Sequence, residues 1–308
     1  MDPARLRLLR ELGDRGSVAA VAASTGVSAS AVSQQLAALQ AGIPIPLTVK
    51  DGRRLVLTAA GEALAVASTR VEEALAEARD AVESFLEQGE RAVGVSAFHS
   101  AGLALFGPLL RELGDRPRVS LADADVAQHA FAGLTADHDL VIAHRLAHDP
   151  PWPLARLVVT GLFVEPLDIA LHAEHPLAAQ AGIRPEQLRG ERWISTHEGF
   201  PLTGVLDHLG ALIGESPRIE HRINEFSVAA HVVRTGAALA VMPRTTAAAL
   251  AVDGMVLRPV VGATLVRHVD VLARPDALAR TPVRTVLAAL RRVASVAAEQ
   301  ADRPRRSS

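Results

Sequence analysis

The chain reads as three successive parts: a mainly α N-terminal unit with a small β-wing, one long linker helix, and an α/β domain of two lobes. Three observations predict this. Residues 17–40 spell two short helices around a tight turn. Apolar residues then recur every seven positions from Leu64 to Phe85. From Arg91 onward, short strand-like apolar runs alternate with helical patterns to residue 299.

Taken in order, residues 4–15 form a first helix with Leu6, Leu9 and Leu12 on one side. Val18, Ala19, Ala22 and Ala23 give the next helix small apolar contacts, and Gly26 stands where the turn wants a positive φ. Ser28 is placed to cap the following helix, because its hydroxyl can take a free N–H of the first turn. There Val32, Leu36 and Leu39 make a buried stripe. The opposite face shows Ser30, Ser33, Gln34 and Gln35, with no acidic and no bulky apolar residue. The DNA major groove accepts such a face: hydroxyls reach phosphates and amides pair with adenine edges. A solvated face on an ordinary helical hairpin has the same composition, so the flanking segments decide between the two.

Pro44 and Pro46 are expected to end that helix. Asp51-Gly52 is a hairpin-turn signal between strands at 47–50 and 53–57. The tip holds Lys50, Arg53 and Arg54, three cations that can follow a phosphate backbone or enter a minor groove. A long helix is expected from Thr58, which can cap it, to about residue 88. Leu64, Val71, Ala78 and Phe85 fall seven apart, and Ser68, Leu75 and Val82 fill the intermediate position. With Glu and Arg on the flanks, this heptad seam predicts pairing with a second copy of the helix. Gly89 and Glu90 break it.

The remaining pattern predicts strands at 92–97, 119–123, 140–144, 157–163, 167–172, 192–195, 218–223, 238–242, 256–259 and 266–273. Helices are expected at 103–113, with Gly107-Pro108 near its start, and at 127–134, 185–188, 202–212, 227–235 and 281–299. The alternation implies parallel sheets with right-handed crossovers, and two such units suit two lobes with a ligand cleft between them. The expected division is 1–58 for the winged unit, 59–90 for the linker helix and 91–300 for the two-lobed domain. Its first lobe takes about 91–163 and 267–300, its second about 164–266, and 301–308 form a basic tail.

Composition narrows the function. With 308 residues, 49% of them hydrophobic, two domains with real cores are expected. No run of eighteen apolar residues and no signal pattern occurs, so the expectation is a cytoplasmic protein without a membrane partner. The absence of cysteine excludes disulfides, thiolate zinc sites and cysteine nucleophiles. The net charge of −2 argues against nucleic acid as a partner of the whole chain, yet residues 1–60 carry seven basic against four acidic residues. No Gly-x-Ser-x-Gly elbow, phosphate-binding glycine loop or dinucleotide fingerprint is present, and His99, His144, His172, His175 and His197 follow no metal-ligand spacing. No catalytic residue, cofactor or metal is therefore expected. The alternative reading is a cytoplasmic small-molecule-binding protein or an enzyme with a two-lobed α/β domain. Both would keep their activity without residues 1–60.

The order of parts and several motifs resemble the LysR-type transcriptional regulators. The matching positions are Gly16-Ser17, Ala22, Val27-Ser28, Ala31, Ser33, Gln35, Leu39, Pro46-Leu47, Gly52-Arg53-Arg54, Leu57-Thr58 and Gly61. Further on, His175-Pro176-Leu177 and the segment from Val232-Val233-Arg234-Thr235-Gly236 to Val241-Met242-Pro243-Arg244 resemble the family's later segments. Ile43-Pro44, Thr48 and Lys50 depart from the family's usual Leu-Gly, aromatic and Arg. Ala29 stands for a usual Gln, and Gln34 for a common Arg. The resemblance implies an N-terminal winged helix-turn-helix and a periplasmic-binding-protein-like effector domain. It implies double-stranded promoter DNA as partner, self-association as a homodimer or homotetramer, and RNA polymerase as a candidate partner. The candidate DNA-binding residues are Ser28, Ser30, Ser33, Gln34, Gln35, Lys50, Arg53 and Arg54.

It also implies a small-molecule effector between the lobes. Mapped onto this chain, the candidates are Ser96, Phe98, His99, Ser100 and Ala101, then Ser195, Thr196 and His197, then Glu225 and Phe226; His144 joins them because His99, His144 and His197 could converge. Ser100 and Ala101 are expected to precede a helix whose N-terminus favours a carboxylate or phosphate. Glu198 and Glu225 would repel a pure anion but could take an amine, so an organic acid or an amino acid is expected.

Overall fold

The computed structural model describes residues 1–52, 54–83, 91–200, 202–246 and 253–302. Arg53, Phe85, the expected helix end at 84–88, the break at Gly89 and Glu90, and the tail 303–308 lie outside the described residues.

Three helices open the chain: α1 (Pro3–Arg15), α2 (Val18–Thr25) and α3 (Ala29–Gln40). Each begins on a side-chain cap: Asp2 accepts from the Ala4 N–H, Ser17 from Ala20 and Ser28 from Ala31, at 2.9, 3.2 and 3.2 Å. Leu6, Leu9, Leu12, Val21, Val32, Leu36 and Leu39 bury together. Each such side chain contributes about 1.5–3 kcal/mol, which holds a unit whose only sheet is a hairpin. That hairpin pairs β1 (Thr48–Asp51) with β2 (Arg54–Leu57). Asp51 faces Arg54 across it, so Asp51 belongs to the strand rather than to the turn its Asp51-Gly52 signal suggests, and Gly52 follows it at a positive φ of 59°. The prolines do not stop α3. It ends at Gln40, whose amide donates to the Ile43 and Ile45 carbonyls and accepts from the Leu47 N–H, tying the wing's base.

Thr58 caps α4 (Ala59–Glu83), its hydroxyl accepting from the Gly61 N–H at 3.1 Å. Gly61 is required by packing, since a Cβ there would overlap the Leu47 carbonyl. One side of α4 lies along α1 and buries Ala65, Ser68 and Thr69. The other leaves Val71, Leu75 and Val82 exposed at 37%, 38% and 64%. Ser68 therefore does not belong to the outward seam. A helix of period 3.6 drifts off a strict seven-residue repeat, and the start of the seam turns into the chain's own interior.

The remaining elements are β3 (Val93–Ala97), α5 (His99–Leu113), β4 (Val119–Asp123), α6 (Phe131–Leu134), β5 (Leu140–Leu146) and β6 (Val158–His172). Then come β7 (Arg192–Ser195), α7 (Thr203–Ile213), β8 (Arg218–Arg222), α8 (Phe226–Val233), β9 (Leu239–Pro243), β10 (Met255–Arg258), β11 (Val266–Ala273), α9 (Pro275–Leu278) and α10 (Thr281–Asp302). Among the described residues the strands form one continuous sheet, ordered β4-β3-β5-β11-β6-β9-β7-β8 with β10 on β6. Val95, Leu105, Leu109, Ile142, Val271 and Leu290 belong to one core, and Ile169, Trp193, Leu206, Leu209 and Leu239 to a second.

Several expectations are corrected here. The sheet is mixed rather than parallel: β11 runs antiparallel to both β5 and β6, and β6 antiparallel to β9 and β10. Residues 157–163 and 167–172 are not two strands but the single β6 of 15 residues. Pro166 does not interrupt it, because it sits where the strand exchanges β11 for β9 and no ladder donor is missed. α5 starts at His99 instead of 103, which puts Pro108 in its interior and Ser100 and Ala101 inside its first turn. Residues 127–134 are a 3-10 turn followed by the single turn α6.

Alternating apolar patterns gave no hint of how the N-terminal unit docks. Arg274, just before α9, reaches Glu11 and Asp14 of α1 at 2.8 Å each, and Arg156 also meets Asp14 at 2.8 Å. Arg10 joins Glu72 of α4 at 2.8 Å and Asp276 of α9 at 3.0 Å, and Arg15 joins Asp137 at 2.9 Å. These ion pairs clamp α1 and α4 onto the first lobe, and Arg10 and Glu11 are buried within them.

Candidate nucleic-acid face and inter-lobe cleft

On α3 the expected Ser30, Ser33, Gln34 and Gln35 are all exposed, together with Ala29, Ala37 and Ala38, and Ser28 is exposed at the cap. Ser28 and Ser30 share a hydroxyl contact of 2.9 Å, and Ser33 donates to the Ala29 carbonyl at 2.9 Å. Gln35 accepts from Arg5 Nε at 3.0 Å, which fixes its amide against α1. The Gln34 side chain makes no hydrogen bond among the described residues and is exposed. Lys50 and Arg54 are exposed on the hairpin beside this face. Arg53, the third expected cation, lies outside the described residues.

The second site is an open cleft between the lobes, with about 350 Å³ of empty space that includes open solvent at its mouth. Seven expected residues line it: Phe98, His99 and Ser100 at the start of α5, His144 on β5, Thr196 after β7, and Glu225 and Phe226 at the start of α8. Ser195 lines a smaller neighbouring cavity that shares Thr196, Leu202 and Phe226 with the first. Ser96 and Ala101 are buried in the first lobe, and His197 is exposed. The structure thus brings His99 and His144 to one cavity and leaves His197 out.

Two side chains that sequence reasoning missed dominate the cavity. Arg267, on β11, is wholly buried. Its Nε donates to Glu165 at 2.7 Å, and its Nη2 donates to Ser100 Oγ at 3.1 Å and Thr246 Oγ1 at 2.6 Å. Glu165 accepts in turn from the Thr245 and Thr246 backbone N–H groups, at 2.9 and 2.5 Å. The guanidinium stands 4.8 Å over the Phe98 ring. Its Nη1 has no partner. Beside it His144 packs on Phe98 with ring centroids 4.3 Å apart, and its Nδ1 is also unpartnered. Burial, reinforced by the Arg267 charge, holds the His144 imidazole neutral, well below its usual range. Asp125 is the other missed residue. Burial pushes its carboxyl up, His99 pulls it back, Glu225 raises it further and Arg267 opposes that.

The rim is bridged by His99. Its Nε2 lies 2.7 Å from Asp123 on the first lobe and its Nδ1 2.9 Å from Glu225 on the second. Glu225 also caps α8 through the Ser227 N–H at 3.1 Å, so the bridge is anchored to a helix start. Across the mouth, Asn224 Oδ1 accepts from the His197 N–H at 2.8 Å, which orients the second-lobe loops. Among the described residues, no group of three or more His, Asp or Glu side chains is arranged to hold a metal ion, and no helix is long and apolar enough to cross a membrane. A signal for Arg267 was present in the sequence: Val266–Ala273 reads as a core strand yet carries Arg267 and Asp270, and a charge in such a strand needs a buried partner.

Comparisons with known proteins cover both the N-terminal unit and the α/β domain. Residues 3–62 match the model of the bacterial regulatory helix-turn-helix protein, lysR family, and residues 87–295 match the LysR substrate binding domain. A probable nitrogen assimilation transcriptional activator of Synechococcus elongatus is 24% identical over 282 residues, 91% of each chain. The regulator CbbR of Xanthobacter flavus is 28% identical over 256 residues, 81% of this chain and 75% of that one. Among solved structures, a full-length OxyR variant from Pseudomonas aeruginosa superposes with a TM-score of 0.67 at 20% identity, covering 96% of this chain and 95% of the other. Full-length CbnR complexed with its target DNA gives 0.51 at 21% identity, covering 96% and 100%. With its helix-turn-helix unit and most of its α/β domain matched, this chain belongs to the LysR family of transcriptional regulators.

Proposed function

We propose that the chain binds promoter DNA through α3 and the wing, as an oligomer in the cytoplasm, and that a small metabolite in the inter-lobe cleft controls that binding. In this reading residues 1–58 carry the DNA contacts, 59–90 the pairing helix and 91–300 the effector domain. The observation that carries the DNA half is charge: residues 16–50 contain no Asp or Glu, so the exposed α3 face meets phosphates without repulsion. Ser28, Ser30 and Ser33 then reach the backbone, Gln34 reads a base edge, Gln35 is steadied by Arg5, and Lys50, Arg53 and Arg54 follow the flanking phosphates. The fold shared with a relative solved with its target DNA supports DNA binding. The exposed Val71, Leu75 and Val82 stripe supports pairing through α4.

The test is fluorescence anisotropy of the full chain on the DNA upstream of its own gene, against scrambled DNA, across a salt titration. Tight, sequence-dependent binding is expected, and a metabolite extract should shift it. Equal affinity for both DNAs would overturn the DNA half. An extract without effect, in a chain that binds DNA, would overturn the cleft half.

A further inference from the structure

The cleft combines one unsatisfied donor set at its floor with an acidic rim. At the floor, Arg267 is wholly buried and three of its contacts are fixed by Glu165, Ser100 and Thr246, leaving Nη1 alone without a partner. A buried donor left without a partner keeps its desolvation cost uncompensated, so this nitrogen calls for an acceptor. The first-turn N–H groups of α5 are further donors at this floor, and His144 beside them adds an unpartnered Nδ1. Arg267 is nevertheless already neutralised by Glu165 at 2.7 Å. The floor therefore suits one carboxylate and has no second positive charge for a dianion.

At the rim the balance is negative. Asp125 and Glu225 both line the cavity, Asp123 pairs with His99 beside them, and Arg222, which donates to the Thr196 carbonyl at 3.2 Å, is held by Glu198 at 3.4 Å. Asp125, Glu225 and Arg267 line the same cavity, so rim and floor border one space. Between them the walls are apolar: Phe98, Phe200, Leu202 and Phe226. The neighbouring cavity adds Leu206, Ile223 and Ala229.

We infer that the cleft takes an α-amino acid with a hydrocarbon side chain, its carboxylate on Arg267 and the α5 N-terminus and its ammonium on Asp125 and Glu225. The inference rests on the cleft reading above and names its ligand class. The ligand displaces no existing bond of Arg267, because the nitrogen it uses is the unpaired one. Organic dianions are disfavoured by the rim, and purely apolar ligands leave Nη1 unpaired.

Isothermal titration calorimetry of the full chain tests this with L-leucine, L-phenylalanine, N-acetyl-L-leucine, L-leucinamide and succinate. One of the two free amino acids should bind, and losing either its ammonium or its free carboxylate should weaken binding by about tenfold or more. Asp125→Asn should weaken L-leucine by about tenfold while leaving N-acetyl-L-leucine unchanged. Arg267→Lys, which keeps a positive charge for Glu165, should weaken both and spare L-leucinamide. Should Arg267→Lys fail to fold, the Asp125→Asn comparison still decides. Succinate binding tighter than either amino acid, N-acetyl-L-leucine matching L-leucine, or no binding by any of the five would overturn the ligand class, while the extract response still judges the cleft. A probe whose affinity survives the cleft-filling Thr196→Trp sits elsewhere, and that outcome would overturn the cleft reading too.

Discussion

The α3 face and the inter-lobe cleft are built in opposite ways. Ser28, Ser30, Ser33 and Gln34 occupy one stretch of one helix, all exposed, and the Gln34 side chain is hydrogen-bonded to nothing else among the described residues. The cleft joins Ser100 to Arg267 across 167 positions of sequence, and its central group is buried and holds three elements together. The first surface is separable from the fold. In the second, the groups that would meet a ligand are the same ones that fasten β6, β11 and α5.

Substitutions break or sharpen that contrast. The largest effect is expected from Arg267→Met, which strands Glu165 in the interior; urea unfolding should show a loss of about 3–5 kcal/mol. A loss below about 1 kcal/mol would mean the cleft is as separable as the DNA face. Gln34→Ala should leave unfolding unchanged and weaken operator binding by about 1–3 kcal/mol against scrambled DNA. Retained operator preference would remove Gln34 from the reading face.

His144 supplies a pH signature of the cleft. In the unfolded chain it takes a proton below about pH 6.5, while burial and Arg267 keep it neutral in the fold. Its contribution is therefore fully present above that pH and lost as pH falls, with a slope approaching about 1.4 kcal/mol per pH unit. His144→Phe, which can pack on Phe98 and Phe131, should flatten the acid limb of stability between pH 7 and 5. An identical slope in the variant would assign the limb to other groups. The smallest effect is expected from Arg54→Ala on the hairpin: the salt dependence of DNA affinity should shallow by about one unit in log–log slope, for any DNA sequence. A slope that does not move would take Arg54 off the phosphates.

Legibility in the sequence follows the same division. The α3 face, the wing and α4 could be read because caps, turns and periodicities act over a few residues, as Ser28, Gly26 and Thr58 show. Six of the seven expected cleft residues on loops and helix starts were reached through family resemblance, since no local rule brings Phe98 to Phe226. Arg267, Asp125 and Glu165 escaped because their roles are set by partners far along the chain. The single β6 was misread for a related reason: Pro166 looks like a strand break until its neighbours are known. Likewise nothing local announces that Arg274 will grip Glu11 and Asp14.

β6 carries a mechanical consequence. It runs unbroken from one lobe into the other, and β11 accompanies it with a register slip at Val269/Asp270 that leaves Leu162 unmatched opposite. Any change of angle between the lobes has to be absorbed as torsion of this ladder, concentrated where the slip already loosens it. The waist behaves as a leaf spring rather than a hinge pin. With α1 and α4 fastened to the first lobe by Arg274, Arg156 and Arg10, twisting that ladder would turn the second lobe against a body that includes α1 and α4.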